Sequence, residues 1–330
     1  MMSQQTKRHV LVTGGSGLLG SALQATAPEE QFSVMGINSS ICDLRDYTAS
    51  KTRLQQLHQC QPIDIIIHCA ARVGGLFRNL QEPVQMLDDN LLINSNILRI
   101  AHELNINKVV CIMSTCIFPN DIEYPLHPDQ LHNGAPHHSN ACYAHAKRLL
   151  DVACRAYQHQ YKRQYYCVVP TNMYGKHDNF HSFNSHVIPA LIQKAMCSVA
   201  EAKDFQVSGS GEHLRQFIYS EDAAKIIWWS IDNWKHLQIP LMLVAPNTEH
   251  RIKDIVYTID RIVKDKYNIT NKIVFVDTID GGQYKKTALD TVQQLQQLGY
   301  DTDFSWEWTS LDAGLEQAIE WFVENKLKMK

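Results

Sequence analysis

The sequence predicts an α/β fold: a doubly wound parallel sheet with a smaller C-terminal α/β cap. Three observations carry that prediction. A glycine-rich turn follows the first apolar run at once, and short apolar runs then alternate with helix-length segments as far as residue 175. Beyond that point the alternation breaks down, although strand-like and helical stretches continue. Regular βαβ alternation marks a parallel sheet covered by helices on both faces.

Composition narrows the classes. The 330 residues suffice for one large α/β domain with an elaboration, or for two modest domains. Hydrophobic residues make up 45% and charged residues 20%, ordinary values for a globular chain with a sizeable core. A formal charge of -3 argues against a nucleic-acid or anionic-membrane partner. The nine cysteines are scattered, with no Cys-x-x-Cys pair and no His/Cys cluster at zinc spacing, so no metal is expected. Free thiols in a reducing compartment are the simpler account of an odd cysteine count. Residues 1–8 lead directly into a strand without the pattern of a signal peptide, and apolar runs such as 109–113 are too short to span a bilayer. The expected location is cytoplasmic.

Residues 9–13 read as a buried strand, followed by Gly14, Gly15, Ser16, Gly17, Leu18, Leu19 and Gly20 and then a helix from 21 to 26. Glycines at 14, 17 and 20 suit a strand-to-helix turn in which the backbone approaches a pyrophosphate and the helix packs closely. The helix N-terminus adds unpaired N–H groups and a positive dipole end. An ordinary glycine-rich turn is the alternative, but the position at the first strand–helix junction favours a dinucleotide. Residues 32–37 form a second strand, where an acidic residue would select NAD and a basic one NADP. Asn38, Ser39 and Ser40 are neither, so these residues leave that choice open. Asp43 is a candidate for the adenine end.

A helix at 47–59 and a strand at 63–68 lead into Cys69, Ala70, Ala71, Arg72, Val73, Gly74 and Gly75. Small residues after a strand let backbone pass close to a cofactor. Close packing alone explains the alanines equally well, the paired glycines less so. A long helix at 84–105 precedes the strand at 108–113. Ser114 stands at that strand's C-terminal end, where open α/β sheets place their sites.

The segment 140–161 reads as a helix, on which Tyr143 and Lys147 share one face a turn apart. An ammonium beside a phenol favours the phenolate, which predicts proton exchange well below the free phenol's pKa of about 10. A surface tyrosine and a solvated lysine are the bland alternative, and for the spacing alone the better one. A strand at 164–169 ends in Pro170, Thr171, Asn172 and Met173. Then come a polar loop at 177–181, helices at 186–197, 223–234, 252–264 and 291–298, and a strand at 272–276. The expected division is 1–175 for the nucleotide domain and 176–330 for the cap, with some segments returning to the first.

Thr13 to Gly20 with Tyr143-x-x-x-Lys147 resembles the extended short-chain dehydrogenase/reductases, whose nucleotide domain is a Rossmann fold. Within them the chain is similar to the GDP-L-fucose synthase family, the GDP-4-keto-6-deoxy-D-mannose 3,5-epimerase-4-reductases. The supporting stretches, in chain order, are 71–79, 114–119, 170–174, 177–180, 185–189 and 215–220.

The resemblance implies NADP(H) as cofactor, a GDP-sugar as substrate and a homodimer. It implies cofactor contacts from the glycine turn, Asp43, Ala70, Ala71, Ile112, Met113, Ser114, Thr115, Lys147, Pro170, Thr171, Asn172, Met173 and His186. Ser114, Tyr143 and Lys147 match the reductase triad, and Cys116 and His186 the epimerisation base and acid. A thiol is tuned into a base by a neighbouring cation, and histidine needs little shift to act as an acid near neutrality. The other thiols, Cys60, Cys69, Cys111, Cys154, Cys167 and Cys197, are expected to be buried small hydrophobes. His177 and His181 are expected to be structural. In the cap, Lys194, Ser208, Arg215 and Asp280 match substrate-binding positions. Ser208 stands where the family carries a tryptophan, and Asp280 is displaced by one residue.

A single-activity 4-epimerase or 4-ketoreductase would need the glycine turn and the triad but neither Cys116 nor His186. A non-catalytic dinucleotide-binding protein would need neither Tyr143 nor Lys147. Fold alone does not separate these readings.

Overall fold

Period-two burial sorts the central strands into two faces. Leu11, Ile66, Val109, Cys111, Tyr165 and Cys167 share one buried core, while Val10, Val12, Ile65, Ile67, Val110, Tyr166 and Val168 share another. Such a sheet needs helices on both sides. The computed structural model describes residues 6–181, 185–198, 201–244, 248–276, 290–301 and 307–327.

The first half contains β1 (Arg8–Thr13), α1 (Leu18–Ala25), β2 (Phe32–Ile37), α2 (Tyr47–Cys60), β3 (Ile65–His68), α3 (Leu76–Gln81), α4 (Pro83–Glu103), β4 (Lys108–Ile112), α5 (Ala141–Tyr161) and β5 (Gln164–Pro170). Only the short α3 departs from the predicted order. The remainder contains β6 (Asn172–Tyr174), α6 (Val187–Cys197), β7 (Phe205–Ser208), β8 (Leu214–Arg215), β9 (Phe217–Tyr219), α7 (Ser220–Asn233), β10 (Leu241–Leu243), β11 (His250–Arg251), α8 (Ile252–Tyr267), β12 (Ile273–Val276), α9 (Thr291–Gln297) and α10 (Leu311–Phe322).

The main sheet has six strands in the order β10-β5-β4-β3-β1-β2, and every pairing in it is parallel. The order reverses at β1, where Thr13 lies in register with Ile37 on one side and His68 on the other. A crevice opens at such a switch point, beyond the strands' C-terminal ends. Residues of α2, α4 and α5 complete one core, and residues of α1, α7 and α9 the other. A third core joins Ile188 and Ile192 of α6, Phe205 and Val207 of β7, Ile255 and Ile259 of α8, and Leu315 and Ile319 of α10.

Several details differ from the sequence reading. Helix α1 begins at Leu18, three residues early, because Gly17 is extended and serves as its N-cap. Helix α7 starts at Ser220, where Glu221 and Asp222 complement the positive end of the dipole. Strand β10, only three residues long and directly after Pro240, is too short to register as a periodic pattern. Cys60 is exposed at the end of α2 and Cys69 is half-buried, so neither is the buried hydrophobe expected, whereas Cys111, Cys154, Cys167 and Cys197 are buried.

Candidate active site

The glycine turn is shaped by close backbone approach. Gly14 has φ +70°, and a Cβ there would lie 2.9 Å from the Ala70 amide nitrogen. A Cβ on Gly15 would stand 2.6 Å from Gly36 Cα, so Gly15 packs behind the turn against β2. No side chain caps the N-terminus of α1, and its first turn holds no acidic residue. Its free N–H groups therefore meet the crevice without a competing carboxylate, which fits a pyrophosphate.

A buried polar chain fixes the floor. The Thr13 hydroxyl lies 2.8 Å from His68 Nδ1, and His68 Nε2 lies 3.1 Å from Asn94 Oδ1. Asn94 in turn donates to the Ala146 carbonyl, and the Ala70 amide donates to Thr13 Oγ1. Burial pushes His68 down to about 4, so the imidazole is neutral. This relay ties β1, β3 and α4 to the helix that carries Tyr143 and Lys147.

The cleft has a volume of about 770 Å3. Its wall includes Gly14, Ser16, Gly17, Leu18, Leu19, Gly20, Asp43, Ala70, Ala71, Ile112, Met113, Ser114, Tyr143, Lys147, Pro170, Thr171, Asn172, Met173 and His186. Gly15 and Thr115 do not line it, and Thr115 is buried. At the end of the cleft beyond β2, Arg45 grips Asp43 through Nε at 2.9 Å and Nη2 at 2.7 Å. That grip holds the Asp43 carboxyl below its ordinary range. Asp89 receives Arg72 at 2.9 Å and Arg45 at 3.5 Å. Asn38 and Ser39 complete this end.

At the other end, Ser114 accepts a long bond (3.5 Å) from the Cys116 amide and caps the 3-10 turn Thr115–Ile117. Cys116 is half-buried and does not itself line the cleft, although its thiol acts electrostatically on the Tyr143 phenol. Lys147 is 2% exposed, and its Nζ donates to the Ile112 carbonyl at 2.9 Å. Burial lowers Lys147 to about 8, which leaves it charged at neutral pH. The predicted lowering of the Tyr143 phenol is not found. Loss of water pushes it above its ordinary value, and the Cys116 thiol adds to that rise. Lys147 does not offset this rise, since its Nζ is turned to the Ile112 carbonyl. Tyr143 is a protonated phenol, the form that can donate.

His186 caps α6 and opens into the cleft, where the protein around it pulls its imidazole below the ordinary value. His177 also lines the cleft and sets its ring 4.8 Å from that of Trp321. Three substrate candidates lie on the cap outside the cleft wall. Lys194 on α6 donates to the Gln206 carbonyl of β7 at 3.1 Å, exposed Ser208 ends β7, and Arg215 is on β8. Asp280 is outside the described residues. Sequence reasoning missed Arg45, Arg72, Asp89, Asp178, Asn179 and Lys326 in the wall. The stretches around Arg72 and Asp178 had been singled out, but no signal pointed to Lys326, which arrives from the far end of the chain.

A parallel sheet with a glycine turn and a Tyr–Lys helix at its switch point defines a nucleotide-dependent epimerase or reductase of the short-chain class. Residues 10–241 match the NAD dependent epimerase/dehydratase family. The chain is 37% identical over 328 residues to the GDP-L-fucose synthase of Dictyostelium discoideum, covering 98% of each chain. It is 38% identical over 330 residues to a probable GDP-L-fucose synthase of Drosophila melanogaster, covering 96% of this chain and 98% of that one. A crystal structure of a GDP-L-fucose synthetase from Naegleria fowleri bound to NADP superposes with a TM-score of 0.84 at 36% identity, covering 98% of this chain and 96% of that one. The chain belongs to the GDP-L-fucose synthase family.

Proposed function

We propose that the protein converts GDP-4-keto-6-deoxy-D-mannose to GDP-L-fucose, by C3 and C5 epimerisation followed by NADPH-dependent reduction at C4. The observation that supports this reading is that Ser114, Tyr143, Lys147 and His186 share one cleft wall, with Cys116 two residues beyond Ser114 on the turn that Ser114 caps. The cofactor is NADP(H), held by the glycine turn, the amides of α1, the ends of β3 to β5, and Lys147. Where the glycine turn meets the end of β2, Ser16, Asn38 and Ser39 offer donors to a 2′-phosphate, with Arg45 in the same wall. Bound NADPH supplies the hydride that reduces C4.

The residues divide the rest of the work. The sugar's 4-keto group acidifies the C3 and C5 protons, which the Cys116 thiolate removes. His186 returns a proton on the opposite face. Ser114 orients the C4 oxygen, and Tyr143 gives it the proton that completes reduction. Lys147 supplies the charge that steadies the phenolate left behind. Lys194, Ser208, Arg215 and Asp280 hold the nucleotide-sugar from the cap, mainly residues 176–330, while mainly residues 1–175 hold the cofactor, with α7, β10 and α9 returning to that first part.

The protein acts as a homodimer through α4 and α5, which pack together and expose Val84, Leu92, Leu149 and Val152. Its nine free cysteines support a reducing, cytoplasmic setting. No helix among the described residues is long and apolar enough to cross a membrane.

Purified protein should oxidise NADPH only when GDP-4-keto-6-deoxymannose is present, and NMR should identify GDP-L-fucose as the product. No change in nicotinamide absorbance, or a product with unaltered C3 and C5, would contradict the assignment.

A further inference from the structure

Lys326 lines the cleft, yet nothing assigned so far uses it. Arg45 and Arg72 in the same wall grip carboxylates, and Lys147 donates to the Ile112 carbonyl. Among the described residues no carboxylate or carbonyl pairs with Lys326, whose Nζ stands 5.6 Å from the centre of the Trp321 ring. His177, also in the wall, sets its own ring 4.8 Å from the same indole. Burial pulls the His177 imidazole below its ordinary value, and Lys176 and Lys326 lower it further. Lys176 is engaged by Glu221 at 3.2 Å. Asp178 turns Oδ1 to the Asn179 amide at 2.7 Å, and its buried Oδ2 has no hydrogen-bond partner. Two cation-forming groups that disfavour each other's charge make a pair that a bound anion would reverse.

The pair is held in place. His177 has φ +62°, a left-handed backbone that residues other than glycine rarely adopt. Phe180 fixes the indole from the same loop, with ring centroids 5.7 Å from Trp321 and 4.9 Å from Phe322. Asn325 donates to the Trp321 carbonyl at 2.9 Å, which ties the π-helical turn Val323–Leu327 to the end of α10.

Position identifies the anion. A Cβ on Gly175 would lie 2.5 Å from Ser220 Oγ, so the loop leading to His177 rests on the first residue of α7. Helix α7 packs along α1, where Trp228 Nε1 donates to the Leu23 carbonyl at 3.1 Å. Helix α1 leaves β1 and α7 leads into β10, and all strands of the sheet are parallel, so both helices start at one end of it. That is the end where the free amides of α1 open into the cleft. One helix terminus supplies roughly half an elementary charge, less than a pyrophosphate carries.

We propose that His177 and Lys326 form the outer jaw of the cofactor's pyrophosphate site, closing over the group that the α1 amides hold from the sheet side. This rests on the assignment of that pyrophosphate to the N-terminus of α1. The ammonium neutralises charge that the helix end leaves over, and the imidazole adds an N–H donor beside it.

The test is titration calorimetry of the purified protein with NADP+, with GDP, and with adenosine 2′,5′-bisphosphate, which keeps the 2′-phosphate but lacks the pyrophosphate. Lys326→Met should weaken NADP+ by about fivefold at low salt, with the loss fading at about 1 M salt. It should leave the other two ligands unchanged, and Lys326→Arg should restore the wild-type affinity. His177→Asn should also weaken NADP+, since asparagine tolerates the left-handed backbone and removes the imidazole. Leu18→Asp sets a carboxylate in the first turn of α1, and should weaken NADP+ while sparing GDP. Unchanged NADP+ affinity in Lys326→Met, with Leu18→Asp weakened, would overturn this proposal alone. A loss that persists at high salt would also overturn it, since that is the signature of packing. An equal loss for the bisphosphate would assign the cation to the 2′-phosphate, and a loss for GDP alone would assign it to the sugar nucleotide; either result overturns the proposal. Unimpaired NADP+ binding in Leu18→Asp would overturn the underlying assignment, and this proposal with it.

Discussion

Arg148 on α5 donates through Nε to the Ile117 carbonyl, so the helix that carries Tyr143 and Lys147 clamps the turn that carries Ser114 and Cys116. Its Nη1 donates to the Gly134 carbonyl at 2.7 Å, and the side chain is buried. Ser114 and Cys116 on the turn are therefore tied to Tyr143 and Lys147 on the helix through one guanidinium.

Arg148→Met removes the donor from two carbonyls. Bonds to a charged group contribute about 1.5–3 kcal/mol each, so the variant should lose about 2 kcal/mol or more in denaturant unfolding. Deuterium exchange at C3 and C5 should fall further than NADPH affinity. A wild-type unfolding midpoint would show that the clamp contributes nothing.

Cys116→Ser and Tyr143→Phe should separate the two chemistries. A serine hydroxyl is far too weak a base near neutral pH, so Cys116→Ser should abolish exchange at C3 and C5 with cofactor binding intact. Tyr143→Phe should keep exchange and lose reduction by about 10²–10⁴-fold. Equal loss of both activities in either variant would argue against the division.

Asp178 gives stability a pH signature. Unfolded, the carboxyl ionises near 3.8, whereas in the fold it keeps its proton to about 7. Between those values the folded state binds more protons, so this group's contribution to stability falls as pH rises from about 4 to 7. Asp178→Asn cannot ionise, and should gain stability relative to wild type at pH 8 compared with pH 4. Equal differences in unfolding free energy at the two pH values would mean that the carboxyl is not held protonated.

Leu149→Glu combined with Val152→Glu should yield a monomer by light scattering. Both side chains are about half exposed on α5, so the single chain should remain folded, as far-ultraviolet circular dichroism would report. A dimer of unchanged mass would remove this face from the interface.

The sequence carried the parts that are local. The glycine turn and the Tyr143–Lys147 pair are legible because each is a spacing along one element. The alternation through β5 is equally plain, since strands buried on both faces read as apolar runs. Strand β10 escaped because three residues carry no period, and its membership of the sheet depends on pairing with Val168 to Pro170 far upstream. The state of Tyr143 escaped for a different reason. Proximity to a lysine can be read from spacing, but the loss of water around the phenol depends on everything packed about it. Arg148 answers to backbone carbonyls rather than to side chains, which leaves no mark in a sequence. The stretch holding Asp178 was noticed, but its burial was not readable.

The edge position of β10 has a consequence for how the molecule is made. Five of the sheet's six strands have emerged by Pro170, but the outermost follows only after β6, α6, β7, β8, β9 and α7. Until Leu241 to Leu243 arrive, β5 presents an unpaired edge, a template for mispairing with another nascent chain. A ribosome that stalls between Pro170 and Leu241 therefore releases a fragment with an open flank. The later residues are the stitch that closes the earlier sheet, so the two stretches of chain are expected to be kept, truncated or lost together.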